Sequence, residues 1–204
     1  MRTEPTPLGT IQSAPPSSSG AVAAELGLAA SGAADGTVLL HTCHNGSLLR
    51  RVTHPDKRPV GHLLVNALHC RLVIGSSTAG DGRLYLYSLS GQRLQPQPLQ
   101  LPGGVRTTLL SPDGSLLLAG GVSGALVAWR LDDGALACTF DSAGAAVSCA
   151  CISGHELLVG TQEGDVLGYA LDPAMLYGRS VRDVAAWTYS PIERKPVRVR
   201  QLIN

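Results

Sequence analysis

The sequence predicts an all-β fold of small antiparallel sheets fanned about an axis, a β-propeller, and three observations carry that expectation. An acidic or small residue stands before a glycine four times, at Asp35-Gly36, Asp81-Gly82, Ser123-Gly124 and Glu163-Gly164, with the glycines 46, 42 and 40 residues apart. Each glycine lies between an apolar run and a second apolar segment that ends on a ring. A period of about 40–45 residues with turn glycines between short strands is the spacing of propeller blades, each a four-stranded sheet.

The apolar runs come first in each repeat: Leu28 to Gly32, Leu72 to Ser76, Leu116 to Gly121 and Leu157 to Thr161. Each reads as a buried inner strand. After the glycines come Thr37-Val38-Leu39-Leu40-His41, Arg83-Leu84-Tyr85-Leu86-Tyr87, Ala125-Leu126-Val127-Ala128-Trp129 and Asp165-Val166-Leu167-Gly168-Tyr169. The two segments form a hairpin, because a tight turn needs positive φ and Gly, then Asn or Asp, tolerates it at least cost.

A second turn glycine follows each of the first three rings, in Asn45-Gly46, Ser90-Gly91 and Asp133-Gly134. The segments after it, beginning Ser47-Leu48-Leu49, Gln92-Arg93-Leu94 and Ala135-Leu136-Ala137, are expected to start the outermost strand of each blade. Ser111-Pro112-Asp113-Gly114 ends a preceding strand at Val105 to Leu110, since Pro presets φ, Asp bonds its own backbone and Gly releases the chain.

These residues carry a family resemblance. The stretch Ser31-Gly32-Ala33-Ala34-Asp35-Gly36-Thr37 running into His41-Thr42 and Asn45-Gly46 resembles a WD-repeat blade of the propeller that follows the BEACH domain in neurobeachin-like proteins. Leu84 to Gly91 and Leu157 to Asp165 are similar in order and spacing, and the resemblance covers residues 22–172. It implies a WD40-type propeller of about four blades and a non-catalytic scaffold for protein partners, acting in membrane and vesicle trafficking. Where a WD blade has Trp-Asp, this chain has His41-Thr42, Tyr87-Ser88, Trp129-Arg130 and Tyr169-Ala170, so the blades are degenerate and the usual buried Asp–His network is not expected.

The expected organisation is a flexible Pro/Ser-rich linker over 1–21, blades over 22–172 and a basic tail over 173–204. Ser17-Ser18-Ser19-Gly20 is read as unable to hold a strand. Few strands remain for a complete ring, and the reading is a partial propeller from a longer chain, its open edge exposing unpaired backbone groups. In the tail, Val197 to Leu202 alternates with Arg198 and Arg200 as a half-buried strand does. A solvated tail or an edge strand on the last blade is favoured there over a patch for anionic lipid or an acidic partner.

Composition sets limits. A hydrophobic content of 44% with 15% charged residues suits sheets buried on both faces, and a net charge of +1 with 4% aromatics argues against nucleic-acid binding. No apolar run reaches the length of a membrane span and no secretory leader is visible, so the expected location is cytoplasmic, peripheral to intracellular membranes through a larger parent protein. Cys149 and Cys151 share one side of a strand and read as core filling, while His41, Cys43 and His44 lack a second pair at zinc-site spacing. No metal, cofactor or catalytic constellation is expected, and Asn45-Gly46-Ser47 reads as a hairpin turn although it matches a glycosylation acceptor.

The candidate contact positions for a protein partner are His44, Asn45, Arg50, Arg51, His54, Lys57 and Arg58, which gather polar and basic groups between two strands. Two alternatives stay open: a WD-repeat adaptor subunit of another complex, and a self-associating structural fragment.

Overall fold

The computed structural model describes residues 17–76, 78–140, 142, 144–171 and 187–189. Blade I is β1 (Ser17–Ala23), β2 (Leu28–Ala33), β3 (Thr37–Thr42) and β4 (Leu48–Thr53); blade II is β5 (Val60–Asn66), β6 (Arg71–Ser76), β7 (Arg83–Ser88) and β8 (Leu99–Gln100). Blade III is β9 (Val105–Leu110), β10 (Leu116–Gly121), β11 (Leu126–Arg130) and β12 (Leu136–Phe140); blade IV is β13 (Val147–Ser153), β14 (Glu156–Thr161) and β15 (Val166–Ala170). A last strand, β16 (Trp187–Tyr189), adds in parallel to the outer edge of β12. Among the described residues no helix is long and apolar enough to cross a membrane.

Within each blade the strands run as an antiparallel meander, and the turns close by side-chain chemistry local to the sequence. Asp35 accepts the N–H of Thr37 at 2.8 Å while Gly36 takes φ +83°. Asp113 and Asp133 accept the N–H groups of Ser115 and Ala135 in the same way, at 3.0 and 2.9 Å. The four rings at the ends of the post-glycine strands hold equivalent positions: His41 faces Ala29, Tyr87 faces Leu72, Trp129 faces Leu117 and Tyr169 faces Leu157. All four are buried, so each blade keeps a packed ring despite its departure from Trp-Asp.

Three cores hold the blades side by side. Val38, Leu40 and Val52 of blade I pack with Leu72, Ile74, Tyr85 and Tyr87 of blade II. Leu84, Leu86 and Leu99 meet Leu117, Trp129 and Leu131, and Leu116, Leu118 and Phe140 meet Leu157, Val159 and Tyr169. Because alternate residues of a strand face opposite sides, Leu116 and Leu118 serve one core and Leu117 the other. Sheets buried on both faces explain why β6 and β10 read as near-continuous apolar runs. The edge strands β1, β5, β9 and β13 are those that approach from blade to blade, so they form the inner side of the array. Among the described residues no core joins blade IV back to blade I, and the array is a partial propeller.

The apolar runs are the inner strands expected, each the second of its blade, with a less apolar strand on the axis side of it. Other expectations are corrected. Ser17 to Gly20, read as linker, belongs to β1, which pairs with β2. The serines work there because the inner edges crowd together: Ser18 and Ser19 Oγ donate to Val60 O at 2.6 and 3.1 Å, and a Cβ on Gly32 would stand 2.5 Å from Ser19 Oγ. Gln92-Arg93-Leu94 opens no continuous outer strand, only an isolated Tyr87–Arg93 bridge, because Pro96 and Pro98 have no N–H for the ladder and β8 shrinks to Leu99–Gln100. Cys149 and Cys151 are exposed, since they sit on β13 and face away from the blade III core; Cys138 is the buried cysteine, its thiol pushed up to about 12 by burial. Residues 1–16 and the Val197 to Leu202 segment lie outside the described residues.

Candidate functional site

Among the described residues, charged and ring side chains gather at one end of blade II. Three segments meet there: residues 54–59 linking β4 to β5, the β6–β7 turn carrying Asp81-Gly82, and residues 101–104 linking β8 to β9. By meander topology these are all connections at the same end of their strands. Leu101 N–H donates to Gly82 O at 2.8 Å, and Val105 N–H to Asp81 O at 3.4 Å, tying the turn to the link into blade III.

Asp81 is the hub. Its side chain is 1% exposed and accepts four hydrogen bonds: from Arg83 N–H (3.1 Å) and Nε (2.9 Å) on Oδ1, and from Arg58 Nη1 (3.1 Å) and Arg83 Nη2 (3.4 Å) on Oδ2. Burial pushes its carboxyl upward, but the Arg83 hydrogen bonds and the charges of Arg83 and Arg58 outweigh it, holding the group below the ordinary carboxylate range. The Asp81 contacts in turn raise the Arg83 guanidinium.

Arg83 reaches a second acid, Asp56, through Nη1 at 3.0 Å, and Asp56 accepts the Tyr85 hydroxyl at 2.8 Å. Burial and that bond to Asp56 raise the Tyr85 phenol. Arg93 lies over the Tyr85 ring, 4.9 Å from its centroid, and His54 meets the same ring edge-on at 5.0 Å. His54 is fully buried; its Nδ1 accepts the Asp56 N–H at 3.2 Å, which leaves Nε2 carrying the proton with no partner among the described residues. Burial lowers its pKa, against the opposing pull of Asp56 and Asp81. The histidine and aspartate are thus both present and buried, yet the acid is bound by arginines and not by the imidazole.

Beside this network is a cleft of about 770 Å3 walled by Arg58, Arg83, Gln100, Leu101 and the Gly80 and Gly82 backbone. Its solvent-facing polar chemistry is cationic and amide, because the Asp81 carboxylate is hidden beneath the guanidinium groups.

The seven sequence-derived positions spread along β4 and the connections at its two ends. His44 and Asn45 sit exposed on the β3–β4 turn, where Asn45 Oδ1 accepts from Thr42 Oγ and from Ser47 N–H. Arg50 and Arg51 are exposed on β4 itself, and Arg50 Cδ would stand 3.1 Å from a Cβ at Gly91. His54, Lys57 and Arg58 occupy the link at the other end. Of these three, Lys57 is exposed with φ +50°, Arg58 joins the cleft, and His54 is a fully buried packing residue. Asp56, Asp81, Arg83 and Tyr85 were missed; the Asp81-Gly82 pair signalled a hairpin but not the 23-residue reach to Arg58.

The family model described as the neurobeachin beta propeller domain matches residues 18–178. The chain belongs to the neurobeachin β-propeller family. A relative, the BEACH domain-containing protein B of Arabidopsis thaliana, is 27% identical over 152 residues, covering 74% of this chain and 6% of that protein. This neurobeachin-type chain therefore spans a small fraction of the relative it matches. Among solved structures, the computationally designed Ika4 protein aligns with TM-score 0.66 and 20% identity over 79% of this chain and 94% of its own. The designed Ika8 protein aligns with TM-score 0.61 and 22% identity over 74% of this chain and 45% of its own. Those two likenesses concern the fold alone. Membership of the neurobeachin propeller family makes the chain a WD-repeat interaction module.

Proposed function

We propose that this chain is a non-catalytic protein-interaction scaffold, the propeller part of a larger BEACH-type protein working in membrane and vesicle trafficking in the cytoplasm, peripheral to intracellular membranes. The observation that carries the reading is the blade II cleft. Three connections from consecutive blades converge there on a buried acid, so Arg58, Arg83 and Gln100 are held on a rigid frame and presented outward. Recognition concentrates on loops fixed by a rigid scaffold. The network supports binding and not turnover, since both oxygens of Asp81 are held by arginines and the buried imidazole faces a tyrosine ring.

Proximity labelling in cells with the tagged full chain tests this proposal against a tagged unrelated propeller. Enrichment of vesicle-coat and membrane-traffic proteins is expected. Labelling no different from the control propeller overturns the trafficking role.

A further inference from the structure

Resting on the reading of the blade II cleft as a protein-docking site, we infer that it takes an acidic segment of a partner protein, with Arg58 clasping an Asp or Glu carboxylate. The geometry is that of a half-used fork. Arg58 spends Nη1 on Asp81, while its Nε and Nη2 donors have no partner among the described residues and its side chain is 41% exposed. A guanidinium presents several N–H donors in a plane, and two of them match the two oxygens of a carboxylate. Asp81 fixes the near side of that plane, so the free edge is oriented before a partner arrives.

Charge complementarity points the same way. Lys57, Arg58 and Arg83 set three cations against the two carboxylates of Asp56 and Asp81, and of those two acids one is hidden at 1% exposure. Arg83 is engaged by both acids, whereas Arg58 holds a single shared oxygen, which makes Arg58 the under-compensated cation. Gln100 supplies an exposed amide to the same cleft, able to bond a neighbouring peptide group. A basic segment would meet Arg58 with like charge.

The experiment measures fluorescence anisotropy of a labelled hexaglutamate peptide on the full chain, beside hexalysine and hexaserine peptides and phosphatidylserine vesicles. Hexaglutamate is expected to bind and to weaken about tenfold between about 0.05 and about 0.3 M salt. Arg58→Gln is expected to weaken it about tenfold, and Arg58→Lys by less, because a point charge replaces the fork. Arg71→Gln, which removes a cation paired with Asp132 at the opposite end of β6 from the cleft, is expected to stay within about twofold of the parent. Unchanged hexaglutamate affinity in a folded Arg58→Gln chain, equal binding of hexalysine, or binding confined to vesicles each overturns the inference. Proximity labelling repeated with Arg58→Gln separates the two readings: traffic partners retained by that variant while the parent chain binds no hexaglutamate rejects the carboxylate and leaves the scaffold.

Discussion

Gly82 and Leu101 meet backbone against backbone: Leu101 N–H donates to Gly82 O at 2.8 Å, and a Cβ on Gly82 would stand 1.7 Å from Leu101 O. This glycine is needed for space and not for a left-handed φ, which sets it apart from Gly164, with φ +92° and nothing within 4 Å of its would-be Cβ. Gly82→Ala is therefore expected to cost more than about 3 kcal/mol, since the clashing atoms are main chain and cannot rotate away. Gly164→Ala is expected to cost about 1–2 kcal/mol, the price of the left-handed backbone alone. Urea unfolding of both variants measures the difference; equal losses would mean that the approach to Leu101 relaxes freely.

Asp81→Asn removes the buried hub while keeping its shape. The amide holds fewer of the four donors and leaves Arg58 and Arg83 without their shared anion. A loss of about 1–3 kcal/mol is expected, the range for hydrogen bonds to a charged group, with both guanidinium groups partly solvated. Because the Asp81 pKa lies below its unfolded value, its contribution is present above the unfolded carboxylate pKa and is lost as pH falls through the lower folded value. The Asn variant should lack that share of the acid dependence, read from unfolding free energies between about pH 5 and about pH 2.

His54 gives a second, opposite-charge dependence of the same sign. Burial lowers its pKa from 6.5, so the unfolded chain binds the extra proton first and stability falls as pH drops below that value toward the folded pKa. His62, half-buried with Nε2 bonded to Val105 O at 3.1 Å, is lowered by the same cause and adds to the slope. His54→Phe keeps a ring against Tyr85 and removes the partnerless Nε2 proton. It should leave stability at pH 7.5 within about 1 kcal/mol of the parent and flatten, without abolishing, the loss on acidification. An unchanged slope would show that His54 titrates normally.

A ring contact lies within the core that joins blade IV to blade III. Tyr169 is fully buried and meets Phe140 of blade III edge-on at 5.3 Å. Tyr169→Ala is expected to cost about 3–5 kcal/mol, as for other aromatic truncations in a core, and to make the β13–β15 segment the first cut in limited proteolysis. Cys151→Ser, on the exposed face of the same blade, should change stability by less than about 0.5 kcal/mol.

The hairpins were legible because their causes are local. An Asp two residues before the N–H it captures, a glycine able to turn, and an apolar run on either side act within a few residues, as at Asp35, Gly36 and Thr37. The ring positions followed from the same repeat, and His41, Tyr87, Trp129 and Tyr169 all occupy them. The site was legible in part: Arg58 was named, but beside His54, which the fold buries.

What the amino-acid order determined by itself was the blade: its period, its turns and the strands whose two apolar faces need neighbours. What only the tertiary structure decided was which surfaces those neighbours cover. Packing turned Ser17–Ala23 into an inner strand, left Cys149 and Cys151 outside a core, and brought Arg58 onto Asp81 across 23 residues. Burial and charge pairing belong to the space between blades, and that space exists only once separate repeats have stacked.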